Sequence, residues 1–152
     1  MCPHPIQDDT MPRIKIDLPE QFIFATDIPI YIGHINYGHH LDNAQLIALV
    51  SEARVRFFKS LGYSEMDVEG VGIIVADVAA QYRSEAFHGE TLVAEMAADD
   101  FNKYGCDLVW KLSDKASGRE VARGKHGIIF FDYGERKATA APAAFVAKVQ
   151  GR

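Results

Sequence analysis

The sequence predicts an α+β protein in which one long, buried helix is wrapped by a curved antiparallel sheet of about five strands. Residues 43–61 contain no Pro or Gly, and their apolar side chains cover well over half of the helical circumference, as in a buried helix. Residues 73–133 then divide into strand-like segments with short connections, which favours an antiparallel four-strand meander. One earlier strand completes the sheet.

The central helix has recognisable ends. Asp42 is a good N-cap, and Gln45 three residues later completes a capping-box pattern. Gly62 follows the last apolar residue, Leu61, as a C-terminal glycine commonly does. A helix from Asp42 to Leu61 would be about 30 Å long at about 1.5 Å per residue.

The remaining elements follow from alternation and turn residues. Residues 20–35 predict the first strand, where Pro29 favours an edge position or a bulge because it has no N–H. The strands after the helix are predicted at residues 73–83, 91–101, 104–114 and 120–133. In the third of these four strands, one face carries Cys106, Leu108, Trp110 and Leu112. A short helix is expected at 142–149, with Pro142 in its first position.

Composition indicates one globular domain at 20–152, preceded by a Pro-rich tail at 1–19 that is disordered or extended. The net charge of −5 gives no general attraction to nucleic acid. No signal peptide is visible, and no apolar run is long enough to cross a membrane, so a cytoplasmic location is expected. Met11 is a second candidate for the start of the chain.

Residues 36–47 carry the most informative motif, NYGHHLDNAQLI, which is followed by Glu52-Ala53-Arg54. This stretch resembles the hotdog-fold acyl-CoA thioesterases, and most of all the 4-hydroxybenzoyl-CoA thioesterase group. Members of that group carry a pattern close to Asp-x-x-Gly-His-Val-Asn-Asn-Ala-x-Tyr-Leu, then Glu-Ala-Arg near the third turn. The similarity extends over about residues 20–135 and includes Tyr82-Arg83 and residues 89–92.

The resemblance implies hydrolysis of a thioester carried by CoA or acyl carrier protein, and no cofactor is expected. The face and edge that a single curved sheet leaves exposed predict a homodimer or a dimer of dimers. Among the departures from the pattern, two concern the chemistry: Asn36 takes the place of the usual catalytic Asp, and His39 takes that of the Gly. An amide cannot act as a general base. A hotdog protein that binds an acyl thioester without hydrolysing it is therefore the alternative. A hydratase or dehydratase is disfavoured, because no working His–carboxylate pair is evident.

The predicted catalytic residues are Asn36, His40 and Glu52. Glu52 lies on an otherwise apolar helix, where burial would make its carboxylate a better base; the alternative is an ion pair with Arg56. Backbone N–H groups from His40 to Asn43 are expected to stabilise an oxyanion at the positive end of the helix dipole. The predicted substrate-binding residues are Gly38, His39, Leu41, Asp42, Asn43, Tyr82 and Arg83.

Several of these residues have simpler interpretations. Asp42 fits a role as N-cap alone, Asn36 as a turn residue, and Arg83 as an exposed residue at a strand end rather than a ligand for CoA phosphate. A cluster of Arg119, Arg123 and Lys125 could equally meet phosphates or form a solvated strand face. His34, His39 and His40 lack the spacing of metal ligands, so no metal is predicted.

Overall fold

The computed structural model describes residues 13–150 and has one long helix packed on a curved antiparallel sheet, which confirms the predicted fold class. The predicted elements are present with modest differences in their bounds. In chain order, the elements are β1 (Phe24–Pro29), a 3₁₀ turn (Ile32–His34), α1 (Asn43–Ser60), β2 (Gly72–Tyr82), β3 (Thr91–Asp99), β4 (Gly105–Asp114), β5 (Glu120–Asp132), β6 (Lys137–Ala138) and α2 (Ala143–Val149).

The strands lie in the order β1-β3-β4-β5-β2, with β6 added beside β5. Only β3, β4 and β5 form a meander, so the predicted four-strand meander is wrong: β2 pairs with β5 and not with β3. The cause is the connection 83–90, which is bonded to several distant segments instead of forming a tight hairpin. Its backbone bonds reach Val121, Leu41 and Ile30, so it crosses from one side of the sheet to the other past the start of α1.

The first strand is shorter than predicted and ends at Pro29, because the chain turns into the 3₁₀ segment at Ile32–His34. β1 lies at the edge of the sheet, as Pro29 suggested. Residues 1–12 of the predicted tail lie outside the described residues. Residues 13–19 carry no helix or strand, but Ile16 is buried and its carbonyl accepts a hydrogen bond from Arg123.

Asp42 caps α1 as predicted: its carboxylate accepts the backbone N–H groups of Ala44 and Gln45 at 2.9 and 3.1 Å. The capping box is incomplete, because the N–H of Asp42 donates to the carbonyl of His34 instead of meeting the Gln45 side chain. The second helix differs in a similar detail, since Pro142 is its N-cap and not its first residue.

One face of α1 packs on the sheet and the opposite face is exposed, so the expectation of burial on most sides is wrong for the single chain. The two faces have different compositions. The buried face is made of Leu46, Leu49, Val50, Ala53, Phe57 and Phe58, and the exposed face carries Gln45, Ala48, Glu52, Val55 and Lys59. An apolar residue such as Val55 at 48% exposure marks a surface that the chain does not cover by itself.

The sheet supplies the other half of the core through β4, whose inward residues Cys106, Leu108, Trp110 and Leu112 are all buried, as the period of two predicted. Phe145 of α2 closes one end of this core by stacking on Phe58. No helix among residues 13–150 is long and apolar enough to cross a membrane.

Candidate active site

A cavity of about 430 Å³ opens at the N-terminal end of α1, a size usual for small-molecule sites. It is enclosed by the loop before α1, the first turn of α1, the end of β2, the connection 83–90 and one residue of β5. The residues that line it are Asn36, Tyr37, Gly38, His40, Leu41, Asn43, Leu46, Tyr82, Arg83, Ser84, Glu85, Ala86 and Val121.

The cavity brings together most of the residues that the sequence predicted for the site. Asn36 and His40 line it, together with the predicted substrate-binding residues Gly38, Leu41, Asn43, Tyr82 and Arg83. Three predicted residues do not line it: His39, Asp42 and Glu52. These three have different reasons for being outside.

Glu52 is the clearest correction, because its side chain is 51% exposed and not buried. Its carboxylate accepts a hydrogen bond from Nε of Arg56 at 2.7 Å, the four-residue pairing that was the alternative interpretation. Glu52 also lies ten residues after Asp42, which is about 15 Å along the helix at about 1.5 Å per residue. The burial that would have made this carboxylate a strong base is absent in the single chain.

Asp42 uses its carboxylate for the helix cap, and His39 is exposed on a turn and does not line the cavity. His39 has a φ of 66°, in the left-handed region that favours glycine. This is the position at which the related motif has Gly, a residue that adopts such a φ without steric cost. Nδ1 of His34 accepts the N–H of Tyr31, so this imidazole is engaged within its own turn.

Asn36 organises the loop, and Gly38 leaves room beside it. The side-chain oxygen of Asn36 accepts the Gly38 N–H at 2.9 Å, so the turn role is confirmed and the amide nitrogen is left as a donor. A Cβ at Gly38 would lie 3.0 Å from Nε2 of His40 and 3.2 Å from Oδ1 of Asn36. Asn36 and His40 therefore flank one small volume that only a glycine keeps open.

His40 has a defined tautomer when it is neutral. Its Nδ1 lies 3.1 Å from the carbonyl oxygen of Leu41, and because a carbonyl only accepts, Nδ1 carries the hydrogen. Nε2 is then a free acceptor in the cavity. It lies 4.0 Å from Oε2 of Glu85, and the two side chains are only 21% and 13% exposed.

Glu85 is a site residue that the sequence analysis missed. It belongs to the connection 83–90, where the chain was expected to turn directly from β2 into a neighbouring strand. The bond from the Leu41 N–H to the Ala86 carbonyl, 2.7 Å long, attaches this connection to the loop before α1. Nothing local in Ser84-Glu85-Ala86 indicates the approach, because it depends on the pairing of β2 with β5.

Two of the four expected backbone donors are available for an oxyanion. The N–H groups of Leu41 and Asp42 are used by the carbonyls of Ala86 and His34. Within residues 13–150, the N–H groups of His40 and Asn43 have no hydrogen-bond partner, and both residues line the cavity. They lie at the positive end of the α1 dipole, where negative charge is stabilised.

Tyr82 and Arg83 form the side of the cavity at the end of β2. The Tyr82 hydroxyl donates to the Asn43 carbonyl at 3.1 Å, and burial raises the pKa of this phenol, with a smaller contribution from Asp42. The Arg83 side chain has no hydrogen bond or ion pair within the described part of the chain. The other basic residues considered with it are paired, in the combinations Arg119–Glu90, Arg123–Glu120 and Lys125–Asp107.

A long helix packed on an antiparallel sheet of order β1-β3-β4-β5-β2, with a cavity at the start of the helix, defines the hotdog class of proteins. The model of the thioesterase-like superfamily matches residues 30–149, and the chain belongs to that family. This result confirms the resemblance noted from the motif at residues 36–47.

Solved structures share the fold at low sequence identity. A 1,4-dihydroxy-2-naphthoyl-CoA thioesterase from Synechocystis has a TM-score of 0.76 at 14% identity, covering 84% of this chain and 96% of that one. A putative thioesterase from Pseudomonas aeruginosa has a TM-score of 0.77 at 22% identity, with 85% and 99% covered. A Staphylococcus aureus protein in complex with CoA gives 0.75 at 18%, with 89% and 85% covered. A comparison with curated proteins gives no significant match.

Proposed function

We propose that this protein hydrolyses an acyl thioester of CoA or acyl carrier protein to the free acid and the thiol. The observation that carries the proposal is the cavity at the start of α1, which is lined by His40 with its acceptor Nε2 and holds, within the described residues, two backbone N–H groups without a hydrogen-bond partner. Membership of the thioesterase-like superfamily and the CoA complex of one structural neighbour support this reaction class.

The reaction needs a base and an oxyanion site. Water attacks the carbonyl carbon, a C–O bond forms, and the carbonyl electron pair moves to oxygen. His40 Nε2 takes the water proton. The tetrahedral intermediate then releases the thiolate, which receives that proton and leaves as the thiol, and the acid remains.

His40 is the base that remains after the other candidates are compared. Asp42 is occupied as a cap, Glu52 is exposed and paired, and His39 lies outside the cavity. The N–H groups of His40 and Asn43 and the Asn36 amide supply donors for the oxyanion. In well-studied enzymes the removal of one such donor costs about 3–4 kcal/mol of barrier.

The test is thiol release from short, long and aromatic acyl-CoAs by the wild type and by His40→Gln. His88→Gln is the matched control, because His88 is exposed on the same connection as Glu85 and does not line the cavity. We expect turnover that falls about a hundredfold or more in His40→Gln and is unchanged in the control. Full activity in His40→Gln would remove His40 as the base.

Asn36 favours one other candidate, a protein that binds an acyl thioester without hydrolysing it, because an amide stands where the family has its carboxylate. Such a protein would bind acyl-CoA in calorimetry and release no thiol, and Asn36→Asp would create turnover. An Asp at position 36 can also accept the Gly38 N–H, so the turn is retained.

The panel of acyl-CoAs also includes an enoyl-CoA, because the His40–Glu85 pair would suit hydration of a double bond as well.

Self-association through the free side of β2 is part of the same proposal. Within residues 13–150, β2 pairs only with β5, and Val75 and Val78 near its middle are 38% and 45% exposed. Val55 of α1 is likewise an apolar side chain that the single chain leaves exposed. A second copy would satisfy the open edge, giving a homodimer or a dimer of dimers. The cytoplasmic location stays a prediction.

A further inference from the structure

We infer that Glu85 is the catalytic carboxylate of this site: together with His40 it holds the attacking water, in place of the acid that Asn36 lacks. This inference rests on the proposed hydrolysis and names a residue that the motif at 36–47 does not contain. Among the described residues that line the cavity, Glu85 is the only carboxylate.

Nε2 of His40 and the carboxylate of Glu85 are two hydrogen-bond acceptors that lie close together. With the hydrogen of neutral His40 on Nδ1, both Nε2 and the Glu85 carboxylate can only accept. They lie 4.0 Å apart, too far for a direct hydrogen bond. A water that donates one hydrogen to each can bridge two acceptors at this separation, with bonds of about 2.8 Å and an angle of about 90° at the water oxygen, somewhat narrower than tetrahedral. Its lone pairs are then free to attack.

The proton of the attacking water moves to Nε2 of His40, beside the Glu85 carboxylate. When Nε2 takes it, the new N–H faces the carboxylate of Glu85, and the imidazolium and carboxylate form an ion pair in a largely buried position. Glu85 thus stabilises the charge that forms as the C–O bond is made. The proton later leaves from Nε2 to the thiolate, so both residues return to their starting states.

Glu85 supplies the negative charge that faces His40 in the cavity. Among the described residues, the other titratable or charged side chains that line the cavity are the phenols of Tyr37 and Tyr82 and the cationic guanidinium of Arg83. None of them can replace the negative charge of Glu85. Because the described part of the cavity lining holds no second carboxylate, Glu85→Gln removes its only negative charge.

Glu85→Gln tests the inference, with Glu135→Gln as a control that removes an exposed carboxylate outside the cavity. We expect kcat to fall about a hundredfold in Glu85→Gln with KM nearly unchanged, and the acidic limb of the pH–rate profile to move to lower pH. Adding Asn36→Asp to Glu85→Gln should restore part of kcat, because a carboxylate returns to the cavity. Wild-type kcat and pH profile in Glu85→Gln would overturn the inference.

A second readout does not depend on turnover. NMR titration of the His40 imidazole should give a lower midpoint in Glu85→Gln than in the wild type, because the stabilising carboxylate is gone. An unchanged midpoint would overturn the inference even if the enzyme is active. If the His40 midpoint is lowered in Glu85→Gln but the wild type hydrolyses no thioester, the electrostatic coupling of His40 and Glu85 is supported and the proposed hydrolysis is rejected.

Discussion

Trp110 donates its indole N–H to Nδ1 of His126 across 2.9 Å, and both side chains are buried in the core between the sheet and α1. Because Nδ1 accepts this bond, His126 is neutral in the folded protein. Burial, followed by the positive charge of Arg54, lowers the pKa of His126 from 6.5 to about 4. The pair therefore makes the core sensitive to acid.

The first prediction is a loss of stability as the pH falls from about 6.5 towards 4. Below pH 6.5 the unfolded chain binds a proton at His126 that the folded chain does not, so the neutral imidazole contributes fully only above that range. The shift in the pKa of His126 corresponds to about 3 kcal/mol in the free energy of unfolding, at about 1.4 kcal/mol for each pKa unit. Urea unfolding at several pH values, compared between the wild type and His126→Leu, measures it.

In His126→Leu the part of the pH dependence that comes from this residue should disappear, even if the variant is less stable at neutral pH. The comparison uses the slope of the free energy of unfolding against pH and not its absolute value. The same slope in the two proteins between pH 6.5 and 4 would contradict the assignment to His126.

Glu52→Gln is the second prediction, and it concerns a residue that sequence reasoning placed at the centre of catalysis. The exposed pair with Arg56 is an ordinary helix-surface ion pair, so its removal should cost at most about 0.5 kcal/mol of stability. Thiol release should stay within about twofold of the wild type, because the side chain lies outside the cavity. A collapse of turnover at unchanged stability would return the base to Glu52.

Glu52 was predicted from the sequence and lies outside the cavity, whereas Glu85 was not predicted and lines it. The difference shows which features local sequence patterns can specify. The cap at Asp42, the buried face of β4 and the loop from Asn36 to His40 follow from local spacing, and the structure confirms them. Glu85 depends on the strand order of the sheet, which local pattern does not specify. The outer face of α1 carries apolar residues such as Val55, so the sequence predicts that this face is buried. In the single chain the face is exposed to solvent.

Gly38→Ala is the third prediction, and it tests the space between Asn36 and His40. The added Cβ would crowd Nε2 of His40 at 3.0 Å and Oδ1 of Asn36 at 3.2 Å. Gly38 is not among the residues with positive φ, so the variant tests the space and not backbone strain. We expect kcat/KM to fall at least about tenfold, which is about 1.4 kcal/mol. Thiol-release kinetics and a thermal melt measure the two effects.

The control for Gly38→Ala is Gly33→Ala, in the 3₁₀ turn, where a Cβ meets no heavy atom within 4 Å. It should leave both activity and melting temperature close to the wild type. Equal activity in the two alanine variants would mean that the volume beside His40 is not used by substrate or water.

Val78→Lys is the fourth prediction and tests self-association through β2. A lysine in the middle of an open strand edge opposes pairing with another strand because its charge would have to be desolvated. We expect the variant to elute as a monomer in light-scattering chromatography while the wild type is a dimer or larger. Met66→Lys is the control, at a residue that is 63% exposed and does not belong to β2. An unchanged mass for Val78→Lys would place the interface elsewhere.

The last prediction concerns His39, which the sequence suggested as a substrate-binding residue and which the structure places outside the cavity. A non-glycine residue in the left-handed region costs about 1–2 kcal/mol, whereas glycine costs about 0.5–1 kcal/mol in lost conformational freedom on folding. With a φ of 66°, His39→Gly should therefore be neutral or stabilising by up to about 1 kcal/mol, and His39→Val should be destabilising. Thermal unfolding ranks the three proteins.

Turnover separates the two possible roles of this residue. If His39 serves only the backbone conformation of the loop, His39→Gly keeps the wild-type kcat and KM, because Asn36, Gly38 and His40 keep their places. If the imidazole contacts substrate, KM rises in His39→Gly although the protein is no less stable. A raised KM would mean that the site extends from the cavity onto the exposed turn at His39.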